Sequence, residues 1–165
     1  MTIGRFYGGV GAVLWSPEKQ RYLLLRRAAH KDFAPGVWEC VTGRVDQGEG
    51  FEAAARREVR EEVGVDVAIA FIIGTTHFYR GVVEPENELL GVVYGCTVDA
   101  TAAIRLSAEH SEQRWVTFQE ANALLTASDL STQWLRRVLA RAEIIRGYLP
   151  ASLAQYYQET GFEVG

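Results

Sequence analysis

Residues 43–65 read Gly43-Arg44-Val45-Asp46-Gln47-Gly48-Glu49-Gly50-Phe51-Glu52-Ala53-Ala54-Ala55-Arg56-Arg57-Glu58-Val59-Arg60-Glu61-Glu62-Val63-Gly64-Val65. The run Phe51–Val63 has no Gly or Pro and is rich in helix formers, so a helix is expected there. Gly64 is a natural residue to end it. On a wheel of about 100° per residue, Phe51, Ala54, Ala55, Val59 and Val63 define an apolar arc. Glu58 and Glu62 fall inside that arc, within about 20° of Phe51, and Glu61 lies at its edge. Arg57 and Arg60 take the opposite side. An ordinary amphipathic helix puts its charges on the far face. Here carboxylates point toward the protein body and toward each other, which costs free energy through like-charge repulsion and desolvation. Three compensations are open. Protonation can neutralise a carboxylate, with a raised pKa. The carboxylates can form a solvated acidic face closed by salt bridges, with Arg57 reaching Glu61 one turn on. Alternatively they can hold a hard divalent cation, Mg²⁺ or Mn²⁺, which takes oxygen ligands.

Outward from this stretch the chain alternates strands and helices. Tyr7 to Trp15 reads as a buried strand, Ser16 to Gln20 as a turn, and Tyr22 to Arg26 as a second strand closing a hairpin. His30 to Val37 is a loop, and Trp38 to Val41 a short apolar strand. Val67 to Phe78 and Leu89 to Val98 are long strands rich in Val, Ile and aromatic residues. The loop Arg80 to Asn87 separates them. A short strand is expected over Arg114 to Val116, and helices over Phe118 to Leu125 and Ser131 to about Leu149. The last helix carries Trp134, Leu135, Val138 and Leu139 as a core-facing stripe. The tail from Pro150 carries no clear pattern. This order implies an α/β (α+β) domain, helices packed on a mixed sheet.

The chain has 165 residues, a length for one domain over 1–165. Acidic residues outnumber basic ones and the net charge is −4, which gives no general pull toward nucleic acid or an anionic membrane. Phosphate binding, if present, must be local. Cys40 and Cys96 sit in apolar runs and read as buried free thiols; two cysteines make no disulfide framework. No apolar run reaches the roughly 18 residues of a membrane span. Phe6 to Trp15 lacks the basic start and cleavage pattern of a signal peptide. A cytoplasmic protein is the expectation.

The spacing Gly43-x5-Glu49-x7-Arg57-Glu58-Val59-x-Glu61-Glu62-x-Gly64-Val65 resembles the complete box of the Nudix hydrolases. That family cleaves nucleoside diphosphates linked to another moiety. From average residue frequencies, chance agreement is roughly one in a billion per starting position. The resemblance implies an α/β/α sandwich and a set of roles. It implies that Glu58, Glu61 and Glu62 bind catalytic Mg²⁺. Gly43 lets the loop approach the metal, where its carbonyl can be a ligand. Arg57 orients a box glutamate, and Glu49 supports the metal site or its waters. The chemistry is consistent with the physics. Phosphoanhydride hydrolysis needs charge neutralised on phosphate oxygens and a water made nucleophilic, and a carboxylate in reach to take the proton. The start of the helix near Gly48, Glu49 and Gly50 also offers backbone N–H groups. These are free for phosphate or are satisfied by Glu49 or Glu52.

The flanks resemble the dihydroneopterin triphosphate pyrophosphatases within that family. Trp38-Glu39-Cys40-Val41-Thr42-Gly43 is similar to their Trp-x-x-Val-Thr-Gly, and Glu109-His110 with Trp115 to their Glu-His and later Trp. The resemblance implies that Glu109 is a metal ligand from outside the box. The proline that many ADP-ribose pyrophosphatases carry past the box is absent; Arg80 stands near its place. The implied partner is a small nucleotide or pterin polyphosphate, the implied state monomer or homodimer.

Other residues stay open between function and packing. Arg27 either grips phosphate or is a surface arginine; Arg44 makes either a substrate contact or a salt bridge. Glu112 shares a polar stretch with Glu109 and is a weaker candidate. His110, beside Glu109, either shapes the site or is a loop histidine with no partner, the commoner case. Trp38 and Trp115 read as packing residues, with Phe33, Phe78 and Tyr79 as candidate platforms for a base. Two other functions compete. A Nudix-fold module that senses nucleotide without cleaving it would be expected to have an eroded box. A prenyl diphosphate isomerase would need a reactive cysteine, for which Cys40 is the candidate.

Overall fold

The computed structural model describes residues 4–165; residues 1–3 of the expected 1–165 unit lie outside the described residues. Strands β1 (Tyr7–Ser16) and β2 (Arg21–Arg27) form the expected hairpin, with Leu14 opposite Leu23 and Ser16 opposite Arg21. Side chains alternate across a strand. Val10, Ala12 and Leu14 therefore enter the core on one face of the sheet, and Val13 and Trp15 enter it on the other.

The hairpin strands pair only near their turn. Further out they part, and residues 38–44 fill the fork. β3 (Trp38–Glu39) pairs with β2, and β4 (Val41–Arg44) pairs with β1. The single strand expected over Trp38–Val41 is thus two strands. The chain changes partner at Cys40, and residue-type preference carries no record of that exchange.

The other edge of β1 pairs in parallel with β6 (Glu88–Thr97), and β6 pairs antiparallel with β5 (Ala68–Tyr79). β7 (His110–Val116) runs antiparallel along the outer edge of β2. The result is a mixed seven-stranded sheet in the order β3-β2-β1-β6-β5, with β4 added to β1 and β7 to β2. β7 is longer than the expected Arg114–Val116. Its first half, His110-Ser111-Glu112-Gln113, shows no apolar alternation because it is an edge strand held by its backbone.

Helix α1 (Phe51–Val63) covers one face, packing Ala54, Ala55, Val59 and Val63 onto Val10, Leu14, Leu23 and Leu25. Gly64 ends it at φ 71°, a left-handed conformation that suits glycine. Helices α2 (Phe118–Leu124) and α3 (Leu130–Tyr148) cover the other face through Ala121, Leu135, Val138 and Leu139. The layers are α/β/α, as expected. Cys40 and Cys96 are buried free thiols. No helix among the described residues is long and apolar enough to cross a membrane.

The tail after Pro150 is ordered into helix α4 (Ala151–Thr160), which packs on β5. Beyond it, Phe162 stacks on Tyr157 with ring centroids 4.3 Å apart and packs against the core beneath α1. Glu163 then accepts hydrogen bonds from the Phe51 and Glu52 N–H groups at 2.8 and 3.4 Å. The first N–H groups of α1 are therefore neither open to phosphate nor satisfied by Glu49 or Glu52. A carboxylate more than a hundred residues away takes them, where sequence spacing gives no hint of it. Glu163→Ala should cost about 1 kcal/mol, and a thermal melt should show a loss of about 2–4 °C.

Candidate active site

The fork between β1 and β2 opens into a cleft of about 890 Å³. Gly43 and Arg44 of β4, Glu39 of β3, Glu58 and Glu62 of α1, and Glu109 before β7 all line it. The aromatic wall is Phe33, Trp38, Phe78, Tyr79 and Trp134.

Glu62 is the most constrained of these groups. It is 4% exposed, and its Oε2 has no hydrogen-bond partner. Burial, then the charges of Glu39, Glu58 and Glu109, push its carboxyl up to about 9. Glu58 is half-buried beside it, and burial raises its carboxyl against the pull of the Arg57 guanidinium. Gly43 lies directly against Glu58. A Cβ on residue 43 would sit 1.9 Å from the Glu58 carboxyl carbon, so only glycine leaves that carboxylate its place.

Arg57 ties helix to loop. Its Nε and Nη2 donate to the two oxygens of Glu49, each at 2.9 Å, and Nη2 also donates to the Arg44 carbonyl at 2.8 Å. Its Nη1 donates to Glu58 at 2.9 Å and to Glu61 at 3.3 Å. The expected Arg57–Glu61 contact exists but is the longest of the set. Glu49 gives both oxygens to Arg57, and one of them also accepts the Asp46 N–H. The Arg57 pair holds its carboxyl below the usual range.

The remaining candidates divide. Glu61 is exposed and turned to Arg57, away from the cleft lining. Glu109 lines the cleft and pairs with Lys31 at 2.7 Å, which lowers its carboxyl. Glu112 belongs to β7 and pairs with Arg26 and Arg114, outside the cleft. Arg27 is no surface arginine. Its side chain is 11% exposed, and it donates to both oxygens of Glu39 and to the Phe33 carbonyl. Arg44 lines the cleft mouth with its guanidinium over the Tyr7 ring, 4.4 Å from the centroid. Cys40 is buried, and burial raises its thiol well above the usual range, which disfavours the thiolate that a reactive cysteine needs.

Among the described residues, no three His, Cys, Asp or Glu side chains converge to hold a metal ion. The reason is visible in the partners: Glu58 and Glu61 lie on Arg57, and Glu109 on Lys31. The donor set nevertheless fits a hard cation. It is all oxygen, it includes a buried carboxylate with an orphaned oxygen, and it adjoins a glycine backbone kept clear of any Cβ.

Sequence reading passed over Glu39 and favoured the loop reading of His110. His110 is not a loop histidine but the buried first residue of β7, with Nε2 2.8 Å from Glu39 and 3.9 Å from the orphaned Glu62 oxygen. Glu39 joins Arg27 to His110 beneath Glu62. A signal for Glu39 existed: it is a carboxylate inside an apolar run, the same anomaly that exposed Glu62.

The family model of the NUDIX domain matches residues 6–140, and the chain belongs to the Nudix family. Among its relatives, an octanoyltransferase of Myxococcus xanthus is 32% identical over 122 residues, 74% of this chain. The chain spans about a third of that protein's length, 32%. The nucleoside triphosphatase NudI of Escherichia coli is 29% identical over 102 residues, 58% of this chain and 72% of NudI. In structure, the MutT protein of Methanosarcina mazei superposes with a TM-score of 0.69 at 23% identity, covering 91% of this chain and 100% of that one. The dihydroneopterin triphosphate pyrophosphohydrolase of E. coli gives 0.62 at 23% identity, covering 83% and 97%. At these identities the likeness is one of fold.

Proposed function

We propose that residues 1–165 act as one Mg²⁺-dependent hydrolase that cleaves a phosphoanhydride bond of a nucleoside or pterin triphosphate. The observation that carries the reading is the buried Glu62 carboxylate with its unpartnered oxygen, set beside Glu58 in a cleft large enough for a nucleotide. Such a group is costly unless a cation completes it. Glu58, Glu61 and Glu62, with the Gly43 carbonyl and Glu109, would hold the metal; Mn²⁺ would serve in place of Mg²⁺. When bound, the metal neutralises phosphate charge and lowers the pKa of its water.

The chain's own residues do the rest. Arg57 clamps Glu49 and the Arg44 carbonyl, which holds the loop at a set height above Glu58. The Arg27–Glu39–His110 chain fixes the imidazole of His110 3.9 Å from the free oxygen of Glu62. Glu109, on a turn and partly exposed, is free to leave Lys31 and accept a proton or a ligand. The aromatic wall gives a flat ring a place to stack. NudI, a nucleoside triphosphatase in name, supports the nucleoside triphosphate class.

The test is hydrolysis of a panel in Mg²⁺, with products identified by mass spectrometry. The panel holds ordinary and oxidised nucleoside triphosphates, dihydroneopterin triphosphate, ADP-ribose, NADH and dinucleoside polyphosphates. Release of pyrophosphate and a monophosphate from a triphosphate is expected. Tight nucleotide binding with no turnover of any member, in Mg²⁺ or Mn²⁺, would overturn the reading in favour of a sensing module.

A further inference from the structure

The arginines around the cleft are of two kinds. Arg27 and Arg57 have their forks occupied by carboxylates and carbonyls. Arg44 and Arg80 do not. Arg44 rests on the Tyr7 ring, and Arg80 faces the Phe33 ring with its Cζ 5.9 Å from the centroid. Among the described residues, neither side chain has a carboxylate or carbonyl partner within hydrogen-bonding or ion-pair reach. A guanidinium held against an aromatic face keeps its in-plane N–H groups free. Both residues line the same cleft as Glu58 and Glu62. Arg80 stands at the end of β5, just before Gly81 at φ 96°, where the chain turns into the loop 81–87.

Arg80 is also in an uncomfortable place for a cation. It is half-buried, and its pKa is lowered by burial first and then by the charges of Arg44 and Arg27. Glu109 acts on it only at a distance, so an arginine gathered with other cations in a partly dry cleft and held by no carboxylate hydrogen bond is set up for an anion from outside. The cleft thus carries opposite unmet needs: the buried Glu62 carboxyl with its unpartnered oxygen, and an arginine pair whose forks hold no anion.

We infer that Arg80 and Arg44 form the seat for the free terminal phosphate of the substrate and select triphosphates over diphosphates capped by a sugar. This rests on the cleft being the substrate site. A terminal phosphate presents three oxygens and close to two charges, which suits two open forks. A sugar-capped diphosphate offers only singly charged phosphates and places a neutral ring where the forks point. Arg80 is therefore a specificity residue rather than part of the carboxylate machinery.

Binding of inorganic tripolyphosphate to the metal-free protein, by calorimetry in chelator, separates this inference from the hydrolase reading. Arg80→Gln and Arg44→Gln should each weaken that binding about tenfold or more. With a nucleoside triphosphate in Mg²⁺, Arg80→Gln should raise KM more than it lowers kcat, and Arg80→Lys, which keeps charge but not the fork, should fall between. The KM for ADP-ribose should not rise. Tripolyphosphate binding equal to wild type in both glutamine variants would overturn the inference, even if triphosphates are hydrolysed. Arginine-dependent binding without any hydrolysis would uphold the seat and sink the hydrolase reading instead. Circular dichroism melts establish that each variant folds, and Arg44→Gln with Arg80→Lys carries the test should Arg80→Gln fail to do so.

Discussion

Glu62→Gln should lose roughly 10³-fold or more in metal-dependent turnover while making the metal-free protein more stable. Both effects have one cause. Glu62 is buried, one oxygen has no partner, and Glu39 and Glu58 add negative charge around it. Gln is nearly the same shape, is neutral at every pH and so needs no proton taken up on folding, and its amide can both donate and accept. An uncompensated buried polar group costs about 1–3 kcal/mol, so the melting temperature should rise by roughly 5 °C. The sign with pH is specific. The Glu62 carboxyl has its ordinary value of 4.5 when unfolded and about 9 when folded. Between those values the folded, metal-free protein keeps a proton that the unfolded chain has released. Stability therefore falls as pH rises through that window. The glutamine variant should lack this fall, so its advantage should grow toward alkaline pH. Added Mg²⁺ should stabilise the wild type and leave the variant nearly unmoved. A variant that melts below the wild type in chelator, or that turns over at the normal rate, would refute the assignment.

The part of this molecule legible in its sequence is the part governed by local periodicity. Helix α1 runs from Phe51 to Val63 as read, because its apolar spacing, its lack of Gly and Pro and its Gly64 stop are all properties of adjacent residues. The burial of Glu62 was legible for the same reason: the wheel places it among the core residues. What was not legible depends on distant pairing. The break at Cys40 is set by which strand each half meets, β2 or β1, and two short apolar stretches look like one. Glu163 reaches the start of α1 only because α4 turns the tail back across β5, so no spacing rule finds it. His110 read as a loop residue because β7 begins in a polar stretch; its burial comes from neighbours on β2 and β3. Arg80 was noticed only as the residue standing where another family group has proline. Its meaning appears when Phe33, Arg44 and the cleft are placed around it. Sequence thus named the carboxylates that one helix carries, of which Glu58 and Glu62 line the cleft. Of the cationic half it named Arg27 and Arg44 as open candidates and passed over Arg80, because three separate segments bring that half together.

Gly43→Ala should lose about 10²-fold or more in turnover with little loss of stability. The added methyl would stand 1.9 Å from the Glu58 carboxyl carbon and 2.3 Å from its Cγ. One of the two must move. Gly43 lies in β4, paired with Val10 across the ladder, and its φ is not in the positive region, so alanine fits the backbone without strain. Glu58 is the outer part of a flexible side chain, and it will swing aside at a cost of about 1 kcal/mol or less. A melt should therefore shift by no more than about 2–4 °C. The activity is lost because the carboxylate leaves the cleft floor. This makes a sharper claim than the loss itself. If the only fault of Gly43→Ala is the displacement of Glu58, then Glu58→Gln and Gly43→Ala damage the same element. Their effects should not multiply: the double variant should be about as slow as the slower single one. Rates that multiply in the double variant would show that Gly43 acts separately, through its backbone, and that the close approach to Glu58 is incidental. Normal turnover in Gly43→Ala would show that Glu58 can serve from a second position, and normal turnover in Glu58→Gln would remove Glu58 from the proposed metal set.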